Sequence, residues 1–194
     1  MMETYKEDLR IVRTKKLLKD ALFRLLQEKP IEDITVNEIC DRAMIHRTTF
    51  YKHYEDKYHL LASLMQELQL SLLSAEELSA LSDRKRELYM LLADRIFSYL
   101  AENRTAYLSI LEHNKSDVVL RMLYEISVKA VKGYVGNAEQ AYCGEVPAAA
   151  VARFYAGGLA SLAIWYLQNG QNIALGDMKR YVSALVSGMP DVRD

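Results

Sequence analysis

Proline, glycine and cysteine are scarce: three, eight and two in 194 residues. No stretch rich in proline or glycine divides the chain, so any second region is expected to pack on the first without a free linker. The two cysteines, Cys40 and Cys143, fall inside helical patterns of a chain whose Met1–Asp8 segment is charged rather than an apolar leader. Reduced buried thiols and a cytoplasmic location are therefore expected, not a disulfide scaffold. Charge of one sign is missing too. Twenty-five Lys and Arg against 26 Asp and Glu leave a net charge of −1, which excludes wholesale nucleic-acid coating but leaves room for a local patch. Long apolar runs are absent: the charge-free part of the most apolar segment, residues 154–167, spans about 14 residues, short of the roughly 20 a membrane helix needs. Period-two alternation, internal repeats and low-complexity tracts are also missing, and the expected class is all-α.

What is present is helical periodicity. Residues 9–28 carry Leu18, Ala21, Leu22, Leu25 and Leu26 on one stripe, and Pro30 ends that helix. Thr35 and Glu38 form a capping-box pattern ahead of Val36, Ile39, Cys40 and Ala43. A second short helix follows from His46, with Phe50 and Tyr54 as its inner side, Ile45 as a staple, and Arg47, Thr48, Lys52 and His53 on its outer side. A helix that packs by its back and presents polar donors at its front has the form of a helix-turn-helix reading element. A longer helix is expected from Asp56, its carboxylate cap, to Ala80, with a stripe from Tyr58 to Leu72 that makes it the candidate transmitter. Further helices are expected over residues 83–102, 105–113, 116–141, 147–169 and 177–187. The domains are thus 1–56, a three-helix N-terminal helix-turn-helix domain, and 57–194, a C-terminal helical ligand-binding and dimerisation domain.

Residues 1–57 hold 12 Lys or Arg against 11 Asp or Glu, so the basic signal is local: Arg10, Arg13, Lys15, Lys16 and Lys19 lie in the acid-free run from Leu9 to Lys19. That run is either a solvated face or a set of phosphate contacts. In the apolar helix after Pro147, Ala148, Ala152, Ala156 and Ala160 recur every fourth residue, a row that lets another helix approach closely. With Leu159 and Trp165, and with Tyr181 and Leu185 from the last helix, it forms the expected two-fold, four-helix homodimer interface. The alternative is an intrachain core. The aromatic residues Tyr89, Phe97, Tyr99, Tyr107, Tyr124, Tyr134 and Tyr155 fit either an effector pocket or a helical core. His46, His53 and His59 are spaced by seven and six residues, which makes no helical ligand pair, so no metal or other cofactor is expected. No phosphate loop, nucleophile elbow or HExxH motif is found, and no enzymatic activity is expected.

TVNEICDRA from Thr35 to Ala43, followed by TTFYKHYEDK from Thr48 to Lys57 and the leucine stripe after it, resembles the DNA-binding domain of the TetR family of bacterial transcriptional regulators. Trp165-Tyr166-Leu167 before Asn169-Gly170 is similar to the end of that family's dimerising helix. A fainter similarity points to the branch that contains a coactivator of dihydroxyacetone kinase genes. The resemblance implies that Arg47 and Thr48 face base edges with His46 and Thr49 nearby. It also implies that Thr35, Tyr51, Lys52, His53 and Lys57 touch phosphates. The partners it implies are a palindromic double-stranded operator, a second copy of the chain and a small-molecule effector that releases a repressor. The alternative is a coactivator of the same fold that binds a protein and not DNA. Met44 departs from the family pattern, which usually has glycine in the turn. If that turn requires positive φ, the side chain costs about 1 kcal/mol.

Overall fold

The computed structural model describes residues 9–81, 84–114 and 146–187, together with single positions between 121 and 128. Helices dominate these residues, and no β-strand occurs among them. In order they are α1 (Leu9–Leu26), a 3-10 turn (Ile31–Asp33), α2 (Val36–Ala43), α3 (Arg47–Phe50), α4 (Lys57–Leu72), α5 (Ala75–Ala80), α6 (Lys85–Glu102) and α7 (Arg104–His113). After the undescribed stretch come α8 (Ala148–Asn169) and α9 (Leu175–Leu185). The helix expected over residues 116–141 lies almost wholly outside the described residues, as do Tyr134 and Cys143.

The chain divides into two compact units. The first comprises Met1–Leu64 with Ser109–Ser116, the second Met65–Leu108 with Asp117–Asp194. Where the sequence suggests a division after Asp56, the compact first unit therefore keeps the start of α4 and takes back a short segment from far downstream.

In the first unit α1 packs on α2, and α2 on α3. The expected stripe of α1 is buried without exception: Leu18, Ala21, Leu22, Leu25 and Leu26. Buried in the same unit are Ile31, Ile34, Ile39, Cys40, Ala43, Phe50, Tyr54, Leu60 and Leu61. Helix α1 stops at Leu26, slightly short of the expected Glu28, because the chain tightens into turns in which Glu28 and Lys29 N–H both donate to Leu25 O ahead of Pro30.

In the second unit α6 packs on α8 and α9. Its core includes Leu88, Leu92, Ala93, Phe97, Leu159, Tyr166, Met178 and Val182. The aromatic residues pair within this unit: Tyr89 with Tyr155, Phe97 with Tyr166 and Tyr99 with Tyr107, all edge-on with centroids 5.3–5.7 Å apart. Arg104 donates to Leu167 O at 2.7 Å, so a cation closes the carbonyl end of α8. A Cβ on Gly170 would fall 2.6 Å from Tyr166 O and 3.3 Å from Arg104 Nε, which is why the chain turns there on glycine.

Two expectations need correction. The single helix from Asp56 to Ala80 is broken after Leu72, because Ser74 and Glu77 form a capping box that starts α5. The middle of the alanine row of α8 does not face outward. Ala152 and Ala156 are buried within the chain against Val128, with Tyr124 packed alongside, and Leu159 is buried too. These three are core residues and not a free interface, while Ala160 is half-buried.

Candidate nucleic-acid interface

The reading element is built from its caps outward. Thr35 Oγ1 accepts the Glu38 N–H at 3.2 Å, and Glu38 returns an Oε2 to the Thr35 N–H at 2.9 Å. This reciprocal cap fixes where α2 begins. Lys29 pairs with the same carboxylate, and its ammonium, helped by the Thr35 bonds, holds the Glu38 pKa down to about 2. Arg42 grips Glu28 with both guanidinium nitrogens, one at 2.9 Å, and that bond lowers the Glu28 pKa. Helix α2 is thus tied to the end of α1 by two charge pairs as well as by its apolar face.

Helix α2 ends on Met44 at φ 55° and ψ 41°, in the left-handed region, with its N–H returned to Asp41 O and Cys40 O. The turn does require positive φ, and a methionine that is 89% exposed occupies it. After this turn α3 starts at Arg47 with His46 as its N-terminal flank, and Tyr51–His53 continue as turns. The regular helix is shorter than expected; its inner side is not. Phe50 is 0% exposed and Tyr54 is buried, with ring centroids 5.8 Å apart.

With the inner side committed to the core, the outer side is left to solvent. His46, Arg47, Thr48, Tyr51 and Lys52 are exposed, Thr49 and His53 are half-buried, and Thr35 is exposed at the start of α2. Arg47 donates to the Tyr51 hydroxyl at 3.3 Å, and its guanidinium stands 5.5 Å from the centroid of that ring. The tyrosine oxygen favours the cation and raises the Arg47 pKa further. Two side chains one turn apart thus steady each other on the exposed face.

Lys57 holds a different post from the one expected. Its ammonium donates to Glu32 O at 2.7 Å and Ile34 O at 2.8 Å, tying the start of α4 to the 3-10 turn and the segment that leads into α2. One N–H remains for a phosphate. His59 is also structural: its Nδ1 accepts the Glu55 N–H at 3.3 Å and its ring stands edge-on to Tyr54. Asp56 caps α4 as the sequence suggests, accepting the His59 N–H at 2.7 Å. Among the described residues no group of three His, Cys, Asp or Glu is placed to hold a metal.

This arrangement meets its counterpart in known proteins. Residues 18–64 match the family described as bacterial regulatory proteins, tetR family, and residues 90–188, half of the chain, match the transcriptional regulator C-terminal region of the same group. The chain belongs to the TetR family. It is a DNA-binding transcriptional regulator, and regulators of the TetR family bind DNA and small-molecule effectors and act as dimers. Over 52 residues, 27% of this chain, it is 33% identical to the uncharacterized HTH-type transcriptional regulator YxbF of Bacillus subtilis, a match that spans 14% of that relative's length. A TetR transcriptional regulator from Streptococcus agalactiae shares the fold with a TM-score of 0.61 at 22% identity, over 93% of this chain and 97% of the other. NalD, the secondary repressor of the MexAB-OprM multidrug efflux pump in Pseudomonas aeruginosa, does so with a TM-score of 0.64 at 16% identity, over 95% and 100%.

The TetR fold also puts the last two helices in view. Helix α8 has the length and apolarity to cross a membrane, yet only 33% of that window is buried in a single chain. Phe154 is 75% exposed and Leu185 70%, and Trp165 and Tyr181 are exposed with ring centroids 6.5 Å apart. Of the seven residues expected at an interface, Trp165, Tyr181 and Leu185 are on this open face. Phe154 was not anticipated, although its spacing of four from Gly158 and eleven from Trp165 places all three on one stripe.

Proposed function

We propose that the protein acts as a homodimeric repressor in the cytoplasm, released from a palindromic operator when a small-molecule effector binds the C-terminal unit. Each α3 enters one of two successive major grooves, with Arg47 and Thr48 at base edges and Tyr51, Lys52, His53 and Thr35 at phosphates. The observation that carries this reading is the division of α3 into a buried side, Phe50 and Tyr54, and an exposed side that bears Arg47, Thr48, Tyr51 and Lys52. The second copy seats on the exposed apolar residues Phe154, Trp165, Tyr181 and Leu185 of the last two helices. The effector binds better to a state in which the two reading helices are wrongly spaced, and so shifts the population away from DNA, with α4 as a carrier of the change.

Selection of bound oligonucleotides with the purified full chain tests this. A two-fold palindrome with half-sites one helical turn apart is the expected product. Recovery of an asymmetric single site, or of no duplex at low salt, contradicts the proposal.

A further inference from the structure

Met44 is held in a conformation that costs the fold and returns nothing to it. Its φ of 55° and ψ of 41° lie in the left-handed region, where a Cβ crowds the following carbonyl oxygen. It is the one non-glycine residue with positive φ among those described. Its N–H closes α2 on Asp41 O and Cys40 O, and the Ile45 N–H follows onto Cys40 O at 2.9 Å. Glycine would supply the same N–H without the strain. Packing does not offset the cost either. At 89% exposure Met44 is the most exposed large apolar residue among those described, ahead of Leu9 at 80%. Backbone strain that no internal contact offsets points outward, to something the residue touches when the protein works.

What it can touch is set by where it stands. Met44 is the turn of the helix-turn-helix, and only Ile45 and His46 separate it from Arg47, the first residue of α3. It therefore flanks the face that bears Arg47, Thr48, Tyr51 and Lys52. Those neighbours carry donors suited to phosphates and to base acceptors. A thioether donates nothing and accepts weakly, so it recognises no phosphate. The apolar group that a base pair presents in the major groove is the C5-methyl of thymine. An unbranched, polarizable side chain with three rotatable bonds can settle on such a methyl. We infer that Met44 is a specificity-determining residue whose Sδ–Cε end lies against a thymine methyl beside the base that Arg47 reads. Arg47 discriminates by hydrogen bonds and Met44 by apolar contact, and the strained turn is what holds the thioether clear of the protein.

The inference rests on the operator-binding reading above. The experiment uses the full chain and the palindrome recovered by selection, resynthesised with deoxyuridine for thymidine at one symmetric pair of positions at a time. That exchange removes the C5-methyl and nothing else. Affinity is read by fluorescence anisotropy for the wild type, Met44→Gly and Met44→Gln. At one thymine per half-site, beside the base pair whose preference Arg47→Ala relaxes, uracil weakens the wild type by about fourfold per half-site, the effect of one methyl group buried. Met44→Gly binds the thymine and uracil duplexes alike at that position. Met44→Gln does too, because it keeps the length of the side chain and replaces the thioether with an amide. Met44→Gly relieves the positive-φ strain and is expected to fold with a raised urea midpoint, so lost discrimination is not lost structure. A scan in which no thymine behaves so while the duplex still binds, or one in which both variants keep the wild-type discrimination, overturns the inference and leaves a protein as the surface Met44 meets. Failure of the wild type to bind any duplex overturns the operator reading and this inference with it, and the absence of any recovered palindrome separates that outcome from a flat scan.

Discussion

The two units are finished to different degrees. In the first, a stripe on α1, a capping box and two charge pairs close a core around Phe50, and the outer side of α3 bears Arg47, Thr48 and Lys52, while the exposed apolar residues Leu9, Val12, Leu17 and Met44 lie off that side. In the second, the core around Phe97 and Met178 is closed as well, but α8 and α9 still present Phe154, Trp165, Tyr181 and Leu185 to solvent. Polar surface beside a complete core is what hydration requires, whereas a large apolar patch left beside one marks a seat for protein. On the proposed reading, the first unit carries the DNA face and the second the seat of another copy.

The sharpest way to break that contrast is to charge the apolar seat. Phe154→Arg is expected to sediment as a monomer while keeping its helical circular dichroism, and to lose about a hundredfold or more in operator affinity, because two heads no longer bind as one. A variant that stays dimeric removes α8 from the interface. Ala156→Leu has a different expected result from the one the alanine row suggests: overpacking against Val128 within the chain costs about 1–3 kcal/mol of stability, read as a fall in the denaturation midpoint.

The polar face is sharpened by pairs of substitutions. Arg47→Ala is expected to cost about 1–3 kcal/mol and to relax preference at one base position per half-site, whereas Lys52→Ala weakens all sequences evenly and flattens the salt slope by about one. Anisotropy titrations at several salt concentrations distinguish them. Equal effects would remove the division between base and phosphate contacts. Met44→Gly relieves the left-handed strain and is expected to raise stability by about 1 kcal/mol in urea titration.

The smallest expected effect concerns acid. The folded-state pKa of Glu38 lies near 2, below its ordinary value of 4.5, so its pairing stabilises the head fully above about pH 4.5 and is lost as pH falls toward 2. Glu38→Gln should flatten that part of the pH–stability profile. A profile unchanged by the substitution argues against the Lys29–Glu38–Thr35 cluster.

Much of the head is legible in sequence because its determinants are local. The α1 stripe, the Thr35–Glu38 cap and the left-handed Met44 each need only a few neighbouring residues to be read. The break between α4 and α5 has a local signal too, Ser74 three residues before Glu77, but the leucine stripe running up to it masks the stop. The alanine row is different in kind. Its spacing announces a close helix contact and cannot say whether the partner is the same chain or another, and the partner here includes Val128 of the same chain. Lys57 is the extreme case: its carbonyl partners lie 23 and 25 positions away, and nothing in the flanking residues marks them.

The central claim is that Arg47 reads a base from the exposed side of α3. Methylation protection of guanine N7 on the recovered operator tests it most directly, since that atom lies on the major-groove edge an arginine would grip. The account predicts protected guanines in both half-sites, with Arg47→Ala exposing one guanine in each and leaving the rest covered. Protection unchanged by that substitution, or confined to one side of the site, would contradict it.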